Sequence, residues 1–311
     1  GNLATTGETN AGDVALTASG NILLGADIEI NTDKGTDQNI TIAGAQGSGG
    51  ARSLTLTAGS GNVNLTGAAT TNINNFTATG ATIDIDQAIT ASGDISLTGS
   101  TAVDLNDANA DLTITSQDAE ILIKSISQVT NAGTTFVGNA AKGQLVTFEG
   151  TTNGTTIGLG DGTVGATLDI SEVQLGLVNT SIETIQIGSS GQTGTVFLEQ
   201  TGGLDLPVST TIRGSGAIAN IGFNVVTSNS GALTFEGDVL LDGTITLDTN
   251  TGGDAAINIA GDVDGDTGSA DTLTLDAGAA AVTITGNYGQ NNVTGSAATT
   301  GDFTISNANQ V

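Results

Sequence analysis

The chain of 311 residues has no cysteine, histidine, methionine or tryptophan, one tyrosine (Tyr288) and one proline (Pro207). Without cysteine there is no disulfide framework, thiolate zinc site, iron–sulfur cluster or thiol nucleophile. The same lack is compatible with export, because nothing in the chain can be misoxidised outside a cell. Without histidine there is no imidazole base, no Ser-His-Asp triad and no proximal haem ligand. Cations are scarce too: 5 Lys+Arg stand against 32 Asp+Glu, a net charge of −27, although charged residues make up only 12% of the chain. The acidity is therefore a shortage of bases, not an abundance of acid runs. Phosphate backbones are held by Lys and Arg, so a nucleic-acid partner is almost excluded. No apolar run approaches the ~18 residues of a membrane helix. The opening GNLATTGETN has neither a basic n-region nor an apolar h-region, and reads as part of a mature or excised segment.

Against these absences stand 77 Leu, Ile, Val and Phe, about a quarter of the chain and more than disordered segments carry. They are strongly patterned. Ile28-Glu29-Ile30, Ile40-Thr41-Ile42, Leu54-Thr55-Leu56, Val63-Asn64-Leu65, Ile83-Asp84-Ile85 and Ile95-Ser96-Leu97 alternate apolar with polar residues, the period of a strand. These very short runs recur at similar, close intervals, separated by Gly, Asn, Ala or Asp. Hairpins would give this spacing, and so would a parallel β-solenoid whose coils turn corners at those separators. Three features favour the solenoid. Aromatics are only 3% of the chain. Asn-Gly and Asp-Gly hairpin turns are few. The stock of Ile, Leu and Val with small corner residues suits a narrow stacked core.

A long internal repeat strengthens this reading. Residues 22–44, ILLGADIEINTDKGTDQNITIAG, recur as 239–261, VLLDGTITLDTNTGGDAAINIAG, at an offset of 217. After a two-residue insertion, 53–67 (SLTLTAGSGNVNLTG) match 272–286 (TLTLDAGAAAVTITG) at an offset of 219. The expected fold is all-β, a right-handed parallel β-helix (β-solenoid) with a tandem ~217-residue super-repeat. Residues 1–311 are expected to form one continuous solenoid, with a first copy over 12–85 and a second over 229–305. Residues 125–215 are expected to be variant coils, in which Ser171 N-caps a single helical turn beginning at Glu172-Val173-Gln174-Leu175. Six residues are expected to point inward, Ile40, Ile42, Leu54, Leu56, Val63 and Leu65. Their second-copy counterparts are Ile257, Ile259, Leu273, Leu275, Val282 and Ile284. Phe303-Thr304-Ile305 keeps the strand pattern close to Val311, so another coil is expected to follow, in the same chain or in a stacked subunit.

The segments LTLTAGSGNVNLTG, ASGDISLTGS and DLTITSQDAEILI resemble the repeats of filamentous-haemagglutinin-like large bacterial exoproteins, in which G-[DN]-[IV]-x-[IL] motifs recur along a right-handed parallel β-helix. The stretch TTIGLGDGTVGATLDISEVQLGLVNTSIETIQIGSS looks like a second segment common in such giant secreted proteins. The resemblance covers nearly the whole chain. It implies a secreted bacterial adhesin, surface fibre or matrix protein at the cell surface or outside the cell.

Enzymatic chemistry is poorly supplied. Polygalacturonase-like β-helices need clustered Asp with a His, and pectate lyases need an Arg base, whereas Arg52 and Arg213 are isolated. One Tyr and no Trp would leave a sugar cleft without stacking surfaces. The sharpest local candidate is GDVDGDTGSAD, residues 261–271. Asp262, Asp264 and Asp266 alternate there between glycines, and Asp271 follows. Closely spaced hard oxygen ligands on a loop suit calcium. A solvated acidic corner is the plainer reading, because the equivalent first-copy loop, AQGSGGAR, has no acid. The sequence therefore predicts a non-enzymatic fibre or stalk segment with no membrane span. Its partners would be further coils or stacked identical subunits, together with host or neighbouring-cell surface glycans or proteins. The alternatives are a self-assembling sheath, surface layer or filament, and a carbohydrate-active β-helix enzyme.

Overall fold

The computed structural model describes residues 3–4, 12–17, 20–33, 37–105, 111–126, 128–131, 133–139, 143–160, 165–266, 271–290, 293 and 303–309. The protein is a parallel β-solenoid. Its strand pairings are parallel throughout the described registers, and inward residues alternate with outward ones. By contacts the chain divides into two compact units, residues 1–147 with 177–183, and residues 148–176 with 184–311.

In the first unit each coil supplies up to three short strands, one to each of three faces. The first face stacks Ile28–Asn31, Arg52–Thr57, part of Thr70–Ile85, part of Ile95–Leu105, and Glu120–Ser125. The second stacks Val14–Leu16, Ile40–Ile42 and Val63–Leu65, and then the later parts of the same two long strands. The third runs through Ile22–Leu24, Ala45–Gly47, the start of Thr70–Ile85, Ile89–Ala91, Leu112–Ile114 and Phe136–Val137. Registers set the length of each coil, which varies along the stack. Phe76 lies opposite Ile95 in a short coil, and Ile28 lies opposite Leu54 in a longer one. The core is a set of inward columns, such as Leu54, Phe76, Ile95 and Ile121, with exposures of 1% or less. Burying each such side chain is worth about 1.5–3 kcal/mol. The small residues take their places in these columns as well, for Ala78 lies between Leu56 and Leu97.

The second unit repeats the three-face plan. One face stacks Thr184–Ile187, Ser209–Ile212, Leu233–Phe235, Ile257–Ile259 and Val282–Ile284. Another stacks Ile157–Leu159, Val196–Leu198, Ile218–Ile221, Asp238–Leu241 and Val263–Gly265. A separate sheet holds Leu204–Leu206, Val225–Thr227, Thr244–Asp248, Thr272–Asp276 and Phe303–Asn307. The step from Ile157 to its partner Val196 is much longer than the other steps on this face, because this coil carries an insertion. Within the insertion Leu168–Ile170 pairs with Ile157–Leu159, and the helix Glu172–Gly176 follows.

The helix starts where the sequence places it. The Gln174 amide donates to Ser171 Oγ at 3.2 Å, and the Ser171 amide donates to Gln174 Oε1 at 2.7 Å, a reciprocal capping box. The helix packs on Leu204–Leu206, the edge strand of its sheet, and Glu172 Oε1 accepts the Asp205 amide at 3.1 Å. A backbone donor that an open edge would leave free is thereby occupied. Of the expected inward residues, eleven are buried and the twelfth, Ile284, is only half-buried. Among the described residues no strand stacks on the far side of Val282–Ile284, so Ile284 lacks the cover its counterpart Leu65 receives.

Candidate functional site

The acidic segment 261–271 has to be built from the motif in which it starts. Gly261-Asp262-Val263 is one of several Gly-(Asp/Asn)-(Ile/Val) triplets, and each residue of the triplet has a separate task. The aliphatic residue opens a strand and points inward. The Asp or Asn just before it accepts a backbone N–H from the next coil, and Asn39 and Asn75 do the same although no glycine precedes them. Asp13 Oδ1 takes the Asn39 amide at 3.0 Å, Asn39 Oδ1 the Asn62 amide at 2.8 Å, and Asn62 Oδ1 the Thr82 amide at 3.2 Å. Asn75 accepts from Asp94, and Asp94 from Glu120, both at 3.0 Å. In the second unit Asp238 accepts the Asp262 amide at 2.9 Å. Except at Gly12 and Gly20, where a methyl group would meet nothing within 4 Å, the glycine answers a steric demand. A methyl group on Gly237 would lie 2.1 Å from the Ala217 carbonyl oxygen, and one on Gly61 would lie 2.3 Å from that of Gln38.

Asp262 belongs to this ladder, since its Oδ1 accepts the Asn287 amide at 2.7 Å and the Asn287 side chain at 3.1 Å. Asp264 sits in the strand Val263–Gly265, is 1% exposed, and accepts the Val293 amide through Oδ2 at 2.8 Å. Asp266 and Asp271 follow a different course. Residues 267–270 between them lie outside the described residues. Asp271 is 1% exposed, and both Asp266 Oδ1 and Asp271 Oδ2 are buried without a hydrogen-bond partner. Burial raises the Asp271 pKa, the Asp266 and Asp242 carboxylates raise it further, and the Gly243 and Asp266 amides pull it back. Burial and Asp266 likewise raise Asp242.

The structure thus divides the four predicted ligands. Asp262 and Asp264 serve the backbone, while Asp266 and Asp271 share a field with Asp242, which sequence spacing did not pick out. Asp242 follows Asp238–Leu241, the strand stacked next to Val263–Gly265. Only the register brings it near. Among the described residues, no three acidic side chains are grouped to hold a metal ion.

Acids also meet on the second face of the first unit. Asp84 and Asp104 lie opposite each other on adjacent coils, and burial together with Asp86 and Asp104 raises the Asp84 pKa. Asp37 moves the other way, because the Ser60 hydroxyl and amide donate to it and lower its pKa. No family model, curated protein or solved structure matches the chain. Its class is that of its fold, the parallel β-solenoids.

Proposed function

We propose that the chain is a non-enzymatic fibre or stalk segment of a large bacterial surface or matrix protein, located outside the cell and coiled with a right hand. The observation that carries this reading is the ladder of Asp and Asn side chains. Each ties one coil to the next through a backbone amide, in addition to the strand pairings, so load along the stacking direction is spread over many identical links. Such a design is mechanical, and its repeating unit can be added without new chemistry.

We also propose that the 217-residue repeat is the unit of a tandem array. Matched contacts support this. The Thr32 hydroxyl donates to the Gln38 carbonyl at 2.7 Å, and the Thr249 hydroxyl donates to the Ala255 carbonyl. Gly59 and Gly278 both have φ of 59°, with Asp37 and Asp254 respectively poised over them.

Electron microscopy of native material, with surface labelling of intact cells, tests the reading. Isolated fibres at the cell surface are expected. Ordered tubes or lattices would favour a self-assembling sheath or surface layer, and turnover of acidic polysaccharides would favour an enzyme.

A further inference from the structure

The first face of the first unit turns a regular set of hydroxyls outward. Thr55 and Thr57 lie in register with Thr77 and Thr79, which lie in register with Ser96 and Thr98. All six are half-exposed, while the residues between them, Leu56, Ala78 and Leu97, are fully buried. Register shifts occur in these strands only outside the array, between Arg52 and Leu54 and between Gly99 and Ala102. The hydroxyls therefore repeat at about 4.8 Å across the coils and about 6.6 Å along each strand. Among the described residues, none of the six hydroxyls is engaged by a neighbouring protein group. Many other threonines are engaged: Thr32, Thr134, Thr227 and Thr249 all donate to backbone carbonyls.

The second unit also sets threonines opposite one another, although Thr274 alone is a repeat counterpart of an array residue, Thr55, and Asp276 stands where Thr57 does. Thr244 lies opposite Thr272, Thr246 opposite Thr274, and Thr274 opposite Thr304. Threonine is the residue suited to such a surface. Its branched side chain has few rotamers, so hydroxyl and methyl are both held in place by the strand.

A rigid two-dimensional array of uncharged hydroxyls spaced by methyl groups matches a ligand that itself repeats on a scale of several ångströms. It offers little to a single small molecule, which would touch one or two of its groups. Carbohydrate surfaces are commonly met by aromatic rings, but the chain's aromatics are absent from this array and Phe76 points inward beneath it. Charged groups hold their own hydration shells, and the array contains none; Glu29 and Lys124 stand on the coils that border it. We propose that the face formed by Thr55, Thr57, Thr77, Thr79, Ser96 and Thr98 binds ice. Its hydroxyls would anchor water in a lattice, and its methyl groups would confine that water between them. The inference does not depend on the fibre reading.

The test is partition of the fluorescently labelled full chain into a slowly grown ice hemisphere, alongside an acidic control protein that ice excludes. The wild-type chain is expected to be enriched in ice. Thr77→Tyr, which raises a ring above the array, and Thr98→Lys, which introduces a charge, are each expected to abolish the enrichment. Both substitutions are outward, so unfolding midpoints measured beside the partition show whether each variant is folded, and either folded variant suffices. Exclusion of the wild-type chain from ice would overturn the proposal. So would enrichment that the folded variants retain. Retention on crystalline cellulose or chitin that is lost in Thr77→Tyr, without enrichment in ice, would overturn it in favour of a polysaccharide surface.

Discussion

An aspartate or asparagine just before a strand contributes one accepting oxygen to the next coil, and its charge is incidental. Asn39 and Asn62 do the same work as Asp13, which is why the motif accepts either residue. Asp262→Asn is therefore expected to leave stability nearly unchanged, whereas Asp262→Ala should cost about 1 kcal/mol by stranding the Asn287 amide. Urea unfolding of the two variants side by side measures the difference. Asp271 presents the opposite case, a buried carboxylate with an unpartnered oxygen near two others of the same sign. Its folded pKa is raised, so ionisation penalises the fold above that pKa and protonation relieves the penalty. Asp271→Asn should raise the unfolding midpoint at pH 7, and should reduce the gain in stability that the wild type shows as pH falls toward 3.8, the ordinary value. An unchanged pH profile in the variant would show that Asp271 is not strained by its neighbours.

Single elements in this fold are too short to stand alone, so their stability comes from the coils on either side. Close approach of those coils is what the motif glycine protects. At Gly237 a methyl would collide with the Ala217 carbonyl oxygen, and Gly237→Ala is expected to cost roughly 1–3 kcal/mol through the forced shift of the backbone. Inward strand positions are equally exacting. Leu56 is 0% exposed between Ile30 and Ala78, and Leu56→Asp would bury an unpaired charge at a cost of several kcal/mol. Thermal unfolding of that variant should be displaced strongly downward. The helix has a separate dependence, because five residues are far too few for an independent helix. Its capping box and its seat on the sheet edge hold it in place.

Over the whole chain, a net charge of −27 with five bases leaves most carboxylates without a counterion. Asp84, Asp169, Asp242 and Asp271 have raised pKa values, chiefly from burial, whereas Asp37, held by the Ser60 hydroxyl and amide, is lowered. A raised carboxylate contributes stability that is complete below its unfolded pKa and is lost as pH rises through its folded pKa. The denaturant midpoint is therefore expected to increase on going from pH 7 toward pH 4–5, and to increase with monovalent salt at pH 7 as mutual repulsion is screened. A midpoint that falls with salt would indicate that specific ion pairs outweigh the repulsion. The ion pair of Arg213 with Glu236, at 3.8 Å, is partly exposed and contributes little.

The alternation of Ile, Leu and Val with small polar residues was enough to determine strands and their inward faces, while their parallel stacking was read from the scarcity of aromatics and hairpin turns. A solenoid core is built from local period-two patterns repeated at similar spacing, so each coil spells its own placement. Ser171 marked the helix for a similar reason, since a cap joins residues only three positions apart. What the sequence left open depended on register between coils. The pairing of Asp238 with Asp262, the approach of Asp242 to Asp266 and Asp271, and the alignment of Thr55 with Thr77 and Ser96 all join residues at least a full coil apart. A shift of one residue in any coil would turn those side chains to the other face. Four aspartates close together in sequence suited either a solvated acidic corner or a ligand set, because spacing along the chain counts neighbours in one dimension. The tertiary structure gave two of them to backbone amides of other coils and set the other two beside a third acid, because stacking chooses each side chain's neighbours from the coils above and below.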